Sequence, residues 1–149
     1  ITNANPKIAN YQFTTLNPNL GVANYDGKEV TLADIPGLVE GAHKGIGLGL
    51  QFLKHIERCK SLLHMIDITN SNLKKSYKQV KNELKNYSSK LSKKKELIVL
   101  NKTDLIDKDK VKRIIKDFSK NTKSEVITLS TLEKKSIIKI KSKLLSYVS

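Results

Sequence analysis

The alternation of short apolar runs with amphipathic segments is the feature that most restricts the fold of this sequence. Apolar runs at residues 62–66, 96–100 and 126–129 are too short for helices and fit strands buried on both faces. Helical periodicity follows each run, at residues 73–87, 111–118 and 136–148. Repeated strand–helix units predict an α/β fold with a mostly parallel sheet covered by helices.

A hairpin precedes these units. Asp26-Gly27 lies between extended runs at residues 20–23 and 29–33, a strong signal for two antiparallel strands joined by a tight turn. We expect this hairpin to form one antiparallel edge of the sheet. Polar residues follow three predicted strands directly, at Asp34, Asn101 and Ser130. Ligands of such sheets bind outside the carboxyl ends of the strands, so we expect these residues to converge there.

Composition limits the class of protein. The 149 residues, 38% of them hydrophobic, suffice for one core, so we expect one domain over residues 1–149. No apolar run is long enough to span a membrane, and the single cysteine, Cys59, excludes an internal disulfide. We expect a cytoplasmic protein without a membrane partner.

The formal charge of +14 has two interpretations. A strongly basic surface suits a polyanionic partner such as RNA. Alternatively, the excess of lysine, asparagine and isoleucine reflects an A/T-rich genome, and the lysine runs are simply solvated surfaces. The sequence leaves both open.

Asp34-Ile35-Pro36-Gly37 begins the first segment that suggests chemistry. An aspartate at a strand end precedes a stretch with four glycines at residues 41–49, too many for a regular helix or strand. A carboxylate ahead of a glycine-rich loop suits a site that senses a metal-bound phosphate. The alternative is an ordinary surface loop that happens to carry an acid.

Asn101-Lys102-Thr103-Asp104 is the second segment. An aspartate can accept two parallel hydrogen bonds from N1–H and the exocyclic amine of guanine, which adenine does not offer. The asparagine amide can serve the other edge of the ring, and the lysine stem can lie along its plane. The string is weak alone in a chain so rich in lysine and asparagine, but its position after an apolar strand favours a guanine site. Upstream, Thr14-Thr15 supplies a hydroxyl able to bind Mg²⁺.

Together these segments resemble the GTPase domain of the Obg family of bacterial ribosome-associated GTP-binding proteins. The resemblance covers nearly the whole chain, densely up to Asp67 and then through residues 101–104 and 130–132; residues 5–22 and 34–58 carry it most closely. The resemblance implies a Ras-like, P-loop-type G domain that binds GTP and GDP and hydrolyses GTP with Mg²⁺. It also implies a role in ribosome biogenesis, with the large subunit or its RNA as partner.

The resemblance also assigns residues. Thr15 would bind Mg²⁺ directly and Asp34 through water, while the Gly37 N–H would contact the γ-phosphate. Asn101, Lys102 and Asp104 would read guanine, and a backbone N–H of residues 130–132 would reach its O6. The implied nucleotide contacts are Phe13, Thr14, Thr15, Leu16, Asn17, Asp34, Ile35, Pro36, Gly37, Asn101, Lys102, Thr103, Asp104, Ser130, Thr131 and Leu132.

Two departures affect activity. Leu38 occupies the position at which many GTPases orient water with glutamine, so intrinsic turnover should be slow and no catalytic residue is assigned. The sequence also contains no G-x-x-x-x-G-K-[ST] phosphate loop and no strand before it. In this fold that first strand lies between the strands ending at Asp34 and Asp67. We therefore expect a partial G domain, inactive alone. The alternative function is a non-hydrolysing RNA- or ribosome-binding module that uses the basic surface.

Overall fold

The structure, a computed structural model, describes residues 20–34 and 57–148. Two sheets and four α-helices make up this part of the chain. In chain order the elements are β1 (Leu20–Tyr25), β2 (Lys28–Ala33), β3 (Ser61–Asp67), α1 (Leu73–Tyr87), α2 (Ser89–Ser92), β4 (Lys95–Asn101), a 3₁₀ helix (Thr103–Leu105), α3 (Lys108–Lys120), β5 (Glu125–Thr128) and α4 (Lys134–Val148).

Strand β4 lies at the centre of a parallel sheet with the order β3-β4-β5. Its five residues from Glu96 to Leu100 are all buried, as the predicted two-sided burial requires. Leu97 and Val99 pack in one core cluster with α4, while Ile98 and Leu100 pack in a second cluster with Phe118 of α3. Helices therefore cover both faces of this sheet, which confirms the predicted α/β class.

The hairpin β1–β2 forms a sheet of its own. Its turn places Asp26 and Gly27 at φ values of 52° and 69°, the left-handed pair typical of a type I′ turn. Leu32 of β2 and Leu63 of β3 both pack against the cluster that α4 covers. Within residues 20–34 and 57–148, β2 pairs with β1 and β3 pairs with β4, and no strand joins the two sheets.

The predicted elements match the observed ones closely. The hairpin, three parallel strands and three long helices lie where the sequence pattern predicts them, with ends that differ by at most three residues. Asp107 caps the start of α3 by accepting hydrogen bonds from the backbone N–H groups of Asp109 and Lys110. Within the described residues the hairpin is not joined to the parallel sheet, which agrees with the expectation that the strand between those ending at Asp34 and Asp67 is missing. The sequence contained no signal for the two short helices. Apolar residues at helical spacing from Leu50 to Ile56 also predict a helix, which lies largely outside the described residues.

No helix within the described ranges is long and apolar enough to cross a membrane.

A buried carboxylate joins three elements at the amino end of the sheet. The side chain of Glu96 is 2% exposed. Four groups donate hydrogen bonds to it: His64 Nδ1, Tyr77 OH and Lys81 Nζ, each at 3.1 Å, and Ser124 Oγ at 3.2 Å. Burial alone would raise the pKa of Glu96, but the contacts with His64 and Lys81 outweigh it and lower the pKa to about 2. The carboxylate therefore stays charged and holds β3, β4 and α1 together.

Replacing Glu96 by glutamine should destabilise the fold, because it leaves the partly buried Lys81 ammonium without its counter-charge. We expect a loss of about 3 kcal/mol in the free energy of unfolding at pH 7, measured by urea unfolding of the 149-residue chain. Since the folded pKa is depressed, this contribution should be present above pH 4.5 and disappear as the pH falls toward 2.

The control is Glu29→Gln, which removes an exposed carboxylate from β2. It should change the free energy of unfolding by less than about 0.5 kcal/mol. A difference between the wild type and Glu96→Gln that stays constant from pH 6 to pH 2 would contradict the linkage.

Candidate guanine-nucleotide site

Two loops meet at the carboxyl end of the parallel sheet, one after β4 and one after β5. The backbone N–H and the hydroxyl of Thr103 both donate to the carbonyl oxygen of Leu129, at 3.3 and 3.2 Å. Leu129 in turn donates its N–H to the carbonyl of Leu100, at 2.9 Å. These bonds fix the first loop against the second, so the predicted convergence of the Asn101 and Ser130 clusters is confirmed.

Ser130 connects the two loops through its side chain. It is completely buried, and its hydroxyl donates to Asp104 Oδ1 at 2.6 Å. Ser130 Oγ also accepts a 3.3 Å hydrogen bond from the N–H of Leu132, while the N–H of Ser130 donates to Ser136 Oγ at 2.9 Å. Ser130 therefore orients the Asp104 carboxylate. That group keeps further acceptor positions, since a carboxylate offers about four lone pairs.

Asn101 has a buried acceptor without a donor. Its Oδ1 atom makes no hydrogen bond within the described residues. Leaving such an atom unpaired costs about 1–3 kcal/mol, so native structures rarely keep one without reason. At the end of β4, the described residues therefore leave one polar atom of Asn101 unsatisfied, as is found at ligand-binding positions.

Lys102 adopts a left-handed backbone conformation, with φ of 64°. Its Nζ atom lies 2.6 Å from Oδ2 of Asp67, the last residue of β3. The hydrogen bonds of Asp67 with Lys102 and then with Thr69 lower its pKa to about 2. Asp67 is thus an ionised partner of the predicted site that sequence reasoning did not assign. The available signal was that Asp67 ends an apolar strand in register with Asn101.

The remaining predicted residues divide into two groups. Asp34 directly follows β2 and is exposed, and Thr131 and Leu132 are exposed beside Ser130. The other predicted contacts lie outside the described residues: Phe13, Thr14, Thr15, Leu16, Asn17, Ile35, Pro36 and Gly37. Within residues 20–34 and 57–148, no cluster of three or more His, Cys, Asp or Glu side chains is placed to hold a metal ion.

Comparison with solved structures supports the fold. The chain is similar to the translation elongation factor SelB from Methanococcus maripaludis, solved with the GTP analogue GppNHp, with a TM-score of 0.56 and 14% identity. The matched region covers 87% of this chain and 27% of SelB. A putative nucleolar GTP-binding protein 1 from Plasmodium falciparum gives a TM-score of 0.53 and 21% identity, over 89% of this chain and 70% of that protein.

Comparison with curated sequences identifies the family. GTPase Obg of Pelagibacter ubique is 73% identical over all 149 residues, and GTPase Obg of Ehrlichia canis is 53% identical over 129 residues, 87% of this chain. The chain spans 46% and 38% of the lengths of these relatives. A family model described as "50S ribosome-binding GTPase" matches residues 1–102. The chain therefore belongs to the 50S ribosome-binding GTPases, and its predicted resemblance to Obg is confirmed.

Proposed function

We propose that this chain supplies the guanine-reading part and the switch segments of an Mg²⁺-dependent GTPase. The observation that carries the proposal is the 2.6 Å hydrogen bond from Ser130 Oγ to Asp104 Oδ1, which joins the two loops expected to surround the base. In this proposal, residues 1–149 form part of one G domain. GTP binding and hydrolysis are proposed for a full-length protein of the size of the Obg relatives, of which this chain is one part.

Asp104 would read the Watson–Crick edge of guanine. Its carboxylate, held by Ser130, would accept hydrogen bonds from N1–H and the 2-amino group. The backbone N–H of Thr131 would reach O6, since the N–H groups of Ser130 and Leu132 already donate to Ser136 Oγ and Ser130 Oγ. Asn101 would serve the opposite edge of the base. Adenine has an acceptor at N1 and no 2-amino group, so the same carboxylate disfavours it.

Asp34 and Thr15 would hold Mg²⁺, Asp34 through water and Thr15 directly. A carboxylate exposed at the end of β2 is the hard oxygen donor that Mg²⁺ prefers, which makes Asp34 suitable for this role. When bound, the metal neutralises charge on the phosphate oxygens. The Gly37 N–H would contact the γ-phosphate, and positioning of the phosphates and the attacking water would account for most of the rate enhancement.

The proposed setting is ribosome biogenesis in the cytoplasm, specifically assembly of the large subunit. The family description and the basic composition, with a charge of +14, support a ribosomal partner. A nucleotide-dependent change in the glycine-rich segment after Asp34 would couple the γ-phosphate to that partner.

Asp104 provides the direct test. In a hybrid protein, this chain replaces the aligned region of the Pelagibacter ubique relative, and nucleotide affinities are measured by titration. We expect Asp104→Ala to weaken GTP binding by about 100-fold and to abolish the preference for GTP over ATP, because two hydrogen bonds to a charged group are lost. Asp104→Asn should favour xanthosine triphosphate, whose 2-oxo group accepts from the new amide.

Asp109→Asn is the matched control, since it neutralises an exposed carboxylate five residues away that pairs only with Lys112 among the described side chains. Its affinities should stay within twofold of the wild type. Unchanged selectivity for GTP over ATP in Asp104→Ala would refute the guanine assignment.

A second candidate function, RNA binding through the basic surface, is favoured by the pattern of charge on α3. Lys108, Lys112, Lys116 and Lys120 are all exposed at intervals of four residues. A spacing of four corresponds to about 6 Å along the helix, so the four ammonium groups form a ridge about 18 Å long. The contact between Lys112 and Asp109 is exposed and weak, and leaves that lysine able to bind phosphate.

Neutralising this ridge tests the second candidate. The variant with glutamine at residues 108, 112, 116 and 120 should bind purified large-subunit ribosomal RNA more weakly. The magnitude of the slope of log K against log salt concentration should fall by about 3, because each lost phosphate contact contributes about 0.7–0.9 to that slope. The measurement is filter binding of the hybrid at several salt concentrations, with and without GTP.

A charge-matched control carries glutamine at four scattered exposed lysines, Lys90, Lys93, Lys134 and Lys139. It should retain most of the affinity. Equal losses in the two quadruple variants would mean that net charge alone attracts RNA, and would contradict a binding face on α3.

A further inference from the structure

Asp67 and Lys102 link the ends of two neighbouring strands. The parallel register places Asp67 opposite Asn101, so that the residue after Asn101 lies beside the end of β3. The Lys102 ammonium contacts Asp67 Oδ2 at 2.6 Å, with side chains 53% and 36% exposed. An exposed ion pair of this kind contributes little to stability. Its position beside Asn101 and Asp104 therefore matters more than its contribution to the fold.

The carboxylate of Asp67 is itself firmly held. Its second oxygen, Oδ1, accepts hydrogen bonds from the backbone N–H of Thr69 at 2.9 Å and from the Thr69 hydroxyl at 2.7 Å. Asn70 also donates its N–H to the backbone carbonyl of Asp67 at 3.1 Å. Both carboxylate oxygens are thus engaged, so Asp67 presents a fixed anion to Lys102.

Lys102 lies at a sharp bend of the chain. Its φ of 64° is uncommon and unfavourable for a residue with a β-carbon. Its carbonyl accepts from the N–H of Leu105 at 3.1 Å, which closes the 3₁₀ turn that carries Asp104. Asn101 therefore precedes the bend, and Asp104 lies in the turn that follows it. The ion pair with Asp67 fixes the position of the Lys102 ammonium group.

We propose that Asp67 is a positioning residue of the guanine site, acting through Lys102. By holding the ammonium group, it keeps the four methylene groups of Lys102 extended between Asn101 and Asp104, where they form an apolar surface for one face of the purine. Burying a hydrocarbon stem against a flat ring while the charged head stays anchored is favourable. This inference rests on the proposed function, because it assigns a supporting residue to the same site.

The test compares two ion pairs of similar geometry in the hybrid protein. Asp67→Asn keeps the size of the side chain and an acceptor for Thr69, but removes the charge that holds Lys102. Glu125→Gln is the matched control, because Glu125 Oε1 lies 2.7 Å from Lys143 Nζ with side chains 41% and 36% exposed. Neither residue of the control pair belongs to the proposed site. The midpoint temperature of thermal unfolding should fall by the same amount in the two variants, a few degrees at most.

Asp67→Asn should raise the dissociation constant for GTP by about tenfold, a size typical of coupling between contacting residues, while kcat at saturating GTP changes less than twofold. Glu125→Gln should change neither quantity. Lys102→Met, which keeps an apolar stem without the ammonium, completes a double-mutant cycle. Combining it with Asp67→Asn should add no further loss, because Asp67 acts through that ammonium.

The outcomes separate this inference from the proposed function. If Asp104→Ala abolishes the preference for GTP while Asp67→Asn binds GTP within twofold of the wild type, the positioning role is overturned and the guanine site stands. Fully additive losses for Asp67→Asn and Lys102→Met would also overturn it. If Asp104→Ala leaves the preference intact, the proposed function itself fails.

Discussion

Burial of β4 on both faces is the constraint on which the rest of this structure depends. Leu97 and Val99 contribute to one core cluster, and Ile98 and Leu100 to the other, so the strand carries no polar side chain between its ends. The polar side chains that belong to β4 itself therefore lie only at its two ends. Glu96 occupies the amino end and Asn101 the carboxyl end. The same burial fixes the register with β3 and β5, since a shift of one residue would exchange the two clusters.

The register in turn determines which loops meet. Parallel pairing brings Asp67 beside Asn101, and Leu129, just after β5, accepts both hydrogen bonds from Thr103. A hydroxyl at Ser130 then reaches Asp104, although the two residues are 26 positions apart in sequence. The site is thus assembled by strand pairing rather than by any single loop, as expected for a sheet whose ligands bind at the carboxyl ends of its strands.

Much of the fold could be predicted from the sequence because strand burial, helical periodicity and an Asp-Gly turn are local signals. The separation of the hairpin from the parallel sheet followed only from the resemblance, which places a further strand between them, because strand pairing depends on partners distant in sequence. The site shows the same division. Asn101 and Asp104 could be identified by residue type and by their position after an apolar strand. The dependence of Asp104 on Ser130, and of Lys102 on Asp67, could not, because hydrogen bonds between loops follow from side-chain geometry that no spacing rule contains.

The two ends of β4 differ in how completely their polar groups are satisfied. At the amino end, Glu96 receives four hydrogen bonds and is almost fully buried, an arrangement that gains nothing from a ligand. At the carboxyl end, Asn101 Oδ1 is buried without a donor in the described part of the chain, and the next residue holds a left-handed conformation. For the described residues alone, the unpaired oxygen and the left-handed conformation are both unfavourable. The edge of guanine that Asn101 would serve carries only the acceptors N7 and O6, so it would bind the amide nitrogen of Asn101 rather than this oxygen.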